Sequence, residues 1–243
     1  TLNLNTTTDL GGAISMGGVI NVNAGASIAS GLDMTGTGTL NVNSALNVTA
    51  DYIFQISVIN VNFSITGTGK KTYASGVTVN LTNTLTGGGD HEFVLGSVLN
   101  VNTGYIHSTT VRNYGAINWQ TGDINPNCIG VSGSLINEST GVININTPDN
   151  RNWYNTTLTN NGTITKATAF STQFGDYCGT GSFTNGSTGT IVDPGGSIIT
   201  FSNATFLGGI IELEGVINVN AGASIASGLD MTGTGTLNVN SAL

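Results

Sequence analysis

Along this chain an apolar residue alternates with asparagine in short runs, and the runs return at nearly constant spacing. "LNLN" begins at Leu2, "INVN" at Ile20, "LNVN" at Leu40 and "INVN" at Ile59. The series goes on as "VNLT" at Val79, "LNVN" at Leu99, "INWQ" at Ile117 and "ININ" at Ile143. Weaker members are "ITKA" at Ile164 and "IVDP" at Ile191, and the pattern resumes at Ile217 and Leu237. Alternation with period two predicts strands whose Ile and Val point inward and whose first Asn, such as Asn21, points outward.

The first Asn or its equivalent falls at positions 3, 21, 41, 60, 80, 100, 118, 144, 165, 192 and 218. The spacing is 18 to 20 residues at first and reaches 26 or 27 later. A period near 20 with excursions of six or seven residues predicts an all-β, right-handed parallel β-solenoid, one coil per repeat. The hand follows from the preference of parallel crossovers, and no strict six-residue period argues for the opposite one. Glycine precedes many of the strands, as in "GVINV", "GTLNV" and "GAINW", where a tight corner needs its backbone freedom.

The second Asn of each run sits where the strand must turn, a place that suits asparagine. Asn23, Asn43, Asn62, Asn102 and Asn146 share this slot, so stacked coils are expected to join them in an amide ladder with rungs about 4.8 Å apart. Asp51, Lys70 and Asp90 each stand ten residues after their anchors Asn41, Asn60 and Asn80. They are expected to stack with alternating sign and to help fix the register between coils.

A longer repeat lies over the short one. The 29 residues from Gly18 to Leu46 recur unchanged from Gly215 to Leu243, 197 residues later. At the same offset the preceding 17 positions keep Thr8, Leu10, Gly11, Gly12 and Ile14. Residues 1–243 therefore read as one solenoid segment with a 197-residue superrepeat, in which 198–243 begin the next copy of 1–46. Ten coils of about 20 residues would fill the superrepeat, a whole number of turns about 48 Å long. The chain reads as a mature or excised piece of a longer array.

Composition narrows the function. Only 7% of residues are charged, the net charge is -8, and the cations are Lys70, Lys71, Arg112, Arg151 and Lys166. Five dispersed cations do not neutralise a phosphate backbone, so nucleic acid is not an expected partner. No run approaches the ~20 apolar residues of a membrane helix. Cys128 and Cys178 are a disulfide candidate in a chain whose composition suits an extracellular or cell-surface setting. The acids are scattered singly except in Asp90-His91-Glu92, which reads as a solvated loop tip, so no catalytic residues, metal or cofactor are expected.

Aromatic residues gather between 117 and 178, among them Trp119, Trp153, Tyr154, Phe170, Phe174 and Tyr177. They read either as a small core under the solenoid wall or as a face, marked by Trp119, Trp153, Tyr154 and Tyr177, that binds glycans or a neighbouring filament. Nine Asn-X-Ser/Thr sequons occur, at Asn5, Asn47, Asn62, Asn80, Asn137, Asn155, Asn161, Asn185 and Asn203, as an Asn/Thr-rich composition produces by itself.

The runs "GTLNVNSALNVT", "GVINVNAGASIAS" and "TNNGTITKATAF" resemble coils of the filamentous-haemagglutinin and autotransporter-type surface solenoids. The resemblance covers nearly the whole chain and is one of composition and period. It implies secreted or surface-anchored fibres serving as stalks, scaffolds or adhesins. The expected function is a structural repeat unit of an extracellular filament assembled end to end with itself. An adhesin shaft that binds glycans through the 117–178 face is the alternative.

Overall fold

The protein is described here by a computed structural model covering residues 1–124, 133–154, 156–175 and 181–240, and every regular element in them is a β-strand. Strands pair in parallel with the coil before and the coil after, which makes a β-solenoid of eleven turns. Each turn has three faces. The first carries the alternating signature, in strands such as Val19–Val22, Thr78–Leu81, Val98–Val101, Ala116–Trp119 and Val142–Ile145. The second holds Leu46–Val48, Ser64–Thr66 and Thr84–Thr86, and later Arg151–Trp153, Ser171–Phe174 and Ile198–Phe201. The third holds Lys71–Tyr73, His91–Phe93, Thr110–Asn113, Gly133–Asn137 and Thr156–Asn160.

Corners between faces are tight because neighbouring coils run close together there. Gly36 has φ of 117°, and a methyl group at its Cβ position would collide with the Met16 carbonyl of the coil below. Backbone hydrogen bonds continue through the corners, for example from Asn43 N to Val22 O at 3.0 Å and from Asn62 N to Val42 O at 3.0 Å. The stack thus satisfies backbone donors and acceptors mainly between coils, with a few bonds inside a coil closing its turns, as from Gly141 N to Glu138 O at 2.7 Å.

Inward side chains form vertical columns. Ile20, Leu40, Ile59, Val79, Leu99, Ile117 and Ile143 follow one another on the first face, with Val22, Val42, Val61, Leu81, Val101, Trp119 and Ile145 beside them. These residues are buried, and burial of each aliphatic side chain is worth about 1.5–3 kcal/mol relative to exposure. The second column then turns polar, because Lys166 and Asp193 occupy its next two places with no exposed surface.

The pairing corrects the count of coils near the end. Residue 192 is followed on the first face by Glu212 and Thr232, not by Asn218. The strand Val216–Val219 pairs with Ile198–Phe201 on the second face. In the first copy of the duplicated segment, the strand Val19–Val22 belongs to the first face. Nine coils lead along the first face from Val19 to Ile210, and six residues more reach Val216 one face further on. The 197-residue offset therefore spans nine coils and one third, not ten whole coils.

Candidate functional site

What the fold offers chemically is a set of side-chain rows, one residue per coil, on and inside the three faces. The most extended row is the first Asn of each signature. Asn3, Asn21, Asn41, Asn60, Asn80, Asn100, Asn118 and Asn144 form one ladder, each Nδ2 donating to the Oδ1 of the preceding member at 2.7 to 2.9 Å. These residues stand outward at mid-strand, where backbone bonds on both sides hold the coil spacing constant.

The row expected at the turn is shorter. Asn5, Asn23, Asn43 and Asn62 are linked at 2.8 to 2.9 Å, and Thr82 Oγ1 donates to Asn62 Oδ1 at 3.3 Å. Asn102 and Asn146 keep the same slot on the backbone, through N–H bonds to Leu81 O and Trp119 O, but they are not rungs. Thr82 lies below Asn102, and Gln120, whose amide stands one methylene further out, lies below Asn146, so neither has an asparagine one coil beneath it.

A third ladder runs inside the solenoid, and the sequence reading missed it. Asn113, Asn137, Asn160 and Asn185 end consecutive third-face strands and have no exposed surface. Nδ2 of each of the first three donates to Oδ1 of the next at 2.7 to 2.8 Å. Each of these three also donates to a carbonyl at or beyond the next corner, Val142 O, Thr163 O or Thr190 O, at 3.1 to 3.2 Å. The signal was there to be read: "RNYG", "INESTG", "TNNG" and "TNGSTG" each place an Asn shortly before the glycine that opens a first-face strand. Below Asn113 the same column holds Phe54, Tyr73 and Phe93, with Tyr73 parallel to both rings at 5.2 and 4.3 Å between centroids. The sequons at Asn137 and Asn185 are consumed by this ladder, so a glycan on either is incompatible with the folded coil.

Asp51, Lys70 and Asp90 precede the register partners Tyr52, Lys71 and His91, so they follow one another at the corner that enters the third face. Lys70 N donates to Asp51 Oδ1 at 2.9 Å. The Lys70 ammonium, however, reaches Glu92 at 2.8 Å, while Asp90 meets Arg112 at 3.4 Å, and Arg112 also meets Glu138 at 3.1 Å. The ion pairs are thus diagonal rather than vertical. They are partly exposed, and each contributes about 0.2–1 kcal/mol.

His91, read as part of a solvated tip, turns inward and is fully buried. It shares a 2.9 Å hydrogen bond with Tyr73, and Lys71 lies beside it with Nζ donating to Gly67 O at 2.6 Å. Burial pushes Lys71 down to about 8 against the opposing pull of Asp90. Burial, helped by the Lys71 charge, pushes His91 down to about 3. Because the folded value lies below the unfolded one of about 6.5, the contribution of neutral His91 is complete above pH 6.5 and is lost as pH falls towards 3. Denaturant titrations should show the protein weaker by about 2 kcal/mol at pH 5 than at pH 6.5. His91→Gln should flatten that difference; an equal acid loss in the variant would assign it to other groups.

Trp119 and Trp153 are interior side chains, 0% and 2% exposed, and so do not form the outer face proposed from sequence. Trp119 is the fourth residue of a first-face strand, and alternation turns it inward. It packs edge-on against Trp153 at 5.4 Å, and Trp153 continues to Phe174, Phe183 and Phe201. Tyr154 is half-buried, its hydroxyl accepting from Asn152 Nδ2 at 2.7 Å. Tyr177, Cys128 and Cys178 lie outside the described residues.

Lys166 Nζ donates to Thr168 O at 3.0 Å and Oγ1 at 2.6 Å; burial lowers its pKa and Asp193 opposes the shift. Among the described residues no group of His, Cys, Asp and Glu is arranged to hold a metal ion, and no helix is long and apolar enough to cross a membrane. No family model, curated protein sequence or solved structure matches the chain.

Proposed function

We propose that this chain is a structural segment of an extracellular or cell-surface filament, a right-handed β-solenoid continued coil upon coil and joined to further copies of itself. One observation carries the reading: the duplicated segment builds the same stacked pair of signature strands in both of its places. Asn41 stacks on Asn21 and Asn43 on Asn23 at 2.7 and 2.9 Å, and Asn238 stacks on Asn218 and Asn240 on Asn220 at 2.9 Å each. Gly31 and Gly228 turn at φ of 89° and 90°, Gly36 and Gly233 at 117° and 102°. A sequence that recurs and rebuilds the same stack is a unit of an array, and arrays of this kind gain stability from each neighbouring interface.

The reading is mechanical rather than catalytic. The described rows of side chains hold one coil to the next, and the resemblance to haemagglutinin-type surface solenoids agrees with a fibre. Adhesion to glycans through the 117–178 face loses its main support, because Trp119 and Trp153 are inside. The test is fibre diffraction or helical reconstruction of assembled protein. A reflection near 4.8 Å along the filament axis is expected. A compact monomer that forms no filament at any concentration, with no axial 4.8 Å repeat, would remove the proposal.

A further inference from the structure

We infer that the 197-residue unit acts as a one-third-turn screw, so that successive units of the array present the same residues on successive faces of the solenoid. The inference rests on the filament reading for its consequence, but its premise lies within the single chain. Val19–Val22 lies on the first face, with Ile20 and Val22 over Leu2 and Leu4. Its identical copy Val216–Val219 lies on the second face, with Ile217 and Val219 over Ile199 and Phe201.

The shift is not confined to one strand. Thr8 and Leu10 pair on the second face, whereas Thr205 and Leu207 pair on the third. Asp33 and Met34 are on the third face, whereas Asp230 and Met231 are on the first. Residues 39–42 are on the first face, whereas Thr236–Val239 is on the second. Every part of the second copy is displaced by the same single face, so the offset is a property of the unit.

One sequence can occupy two faces because the demands of each face are alike. A strand needs two inward apolar side chains, an apolar pair beneath them and a glycine corner beside it. Leu2 and Leu4 meet that demand on one face, and Ile199 and Phe201 meet it on another. The amide ladders add a condition that the segment satisfies internally, since its own asparagines stack on one another in both places.

If each unit advances nine coils and a third, one unit rises about 45 Å and three units close after 28 coils, about 134 Å. Any outward row, the Asn ladder included, then appears on all three sides in turn. A second copy of the array lying alongside meets that row from whichever side it approaches. Lateral self-association therefore need not choose a side, which a whole-coil repeat would require.

Engineered disulfides read the register in the single chain, independently of whether filaments form. Residues paired on neighbouring parallel strands lie within the ~7 Å that a disulfide spans. Ile198→Cys with Val216→Cys should close under mild oxidation as fully as the control Val19→Cys with Thr39→Cys, because both pairs are register partners. Thr190→Cys with Val216→Cys, neighbours under a whole-coil repeat, should stay open because Thr190 pairs with Ile210. Bonds are to be mapped by mass spectrometry of the proteolysed, non-reduced protein, which also separates them from any bond of the native cysteines. Closure of the Thr190 pair, or failure of the Ile198 pair where the control closes, would overturn the inference.

Discussion

Asn160→Ala should lower the stability of the coils around it by about 2–5 kcal/mol, while Asn60→Ala should cost less than about 1 kcal/mol. Both residues are middle rungs of amide ladders, so the difference isolates what burial does. Asn160 accepts from Asn137 at 2.7 Å and donates to Asn185 at 2.7 Å and to Thr190 O at 3.1 Å. All three amides are fully enclosed, so truncation leaves a donor of Asn137 and an acceptor of Asn185 without water to replace the lost partner. Each orphaned group costs about 1–3 kcal/mol. Asn60 also joins two neighbours, Asn41 at 2.7 Å and Asn80 at 2.8 Å, but its ladder stands on the outer surface and water can take its place. Urea denaturation of the two variants, with hydrogen exchange to locate the coils that open, makes the comparison. Equal losses at the two sites would mean that ladder geometry, and not burial, sets the cost.

The strands were legible because "INVN" states both its period and its direction. Ile20 and Val22 are buried and Asn21 faces out, as alternation requires. The place of the ladders was less legible. Turn preference drew attention to Asn23, but a ladder needs an amide in every coil, and only the mid-strand slot of Asn21 supplies eight in succession. The inner ladder was hidden for a different reason. Asn113, Asn137, Asn160 and Asn185 recur at spacings of 24, 23 and 25 residues, but each stands alone at the end of its strand, without the second alternating Asn that marks the signature runs. Polarity also argues against an inward place until the neighbouring carbonyls are known.

The third-of-a-coil offset was beyond the motif itself. The same four letters serve on the first face at Val19 and on the second at Val216, so phase has to be counted through the strands between them. Those weaker strands, such as "TLT" at Thr84 and "FTN" at Phe183, carry little signature of their own. Lys166 and Asp193 show the converse, since the alternation of "ITKA" and "IVDP" turns them inward although charge would place them outside. Pattern won there, with Thr168 receiving the buried ammonium.

Trp119→Ala should cost about 3–5 kcal/mol, the range for emptying a buried aromatic site. The indole sits in the first-face column above Val101 and below Ile145, and packs edge-to-face with Trp153 at 5.4 Å between ring centroids. Its Nε1 donates to Gly122 O at 2.8 Å, in a corner where Gly122 has φ of 71°. Truncation therefore opens a cavity, removes the edge-on aromatic contact and leaves a corner carbonyl without its donor. Trp119→Phe keeps a ring in the column and loses mainly the hydrogen bond, so it should cost about 1–2 kcal/mol. The graded order of alanine below phenylalanine below wild type is the signature of packing. A residue kept for a ligand behaves the other way, losing binding on substitution while the denaturation midpoint stays where it was. Urea midpoints for the three proteins, with the indole signal of Trp153 followed by near-ultraviolet circular dichroism, distinguish the two. An unchanged midpoint in Trp119→Ala would put the side chain back on the surface and reopen the aromatic segment as a binding face.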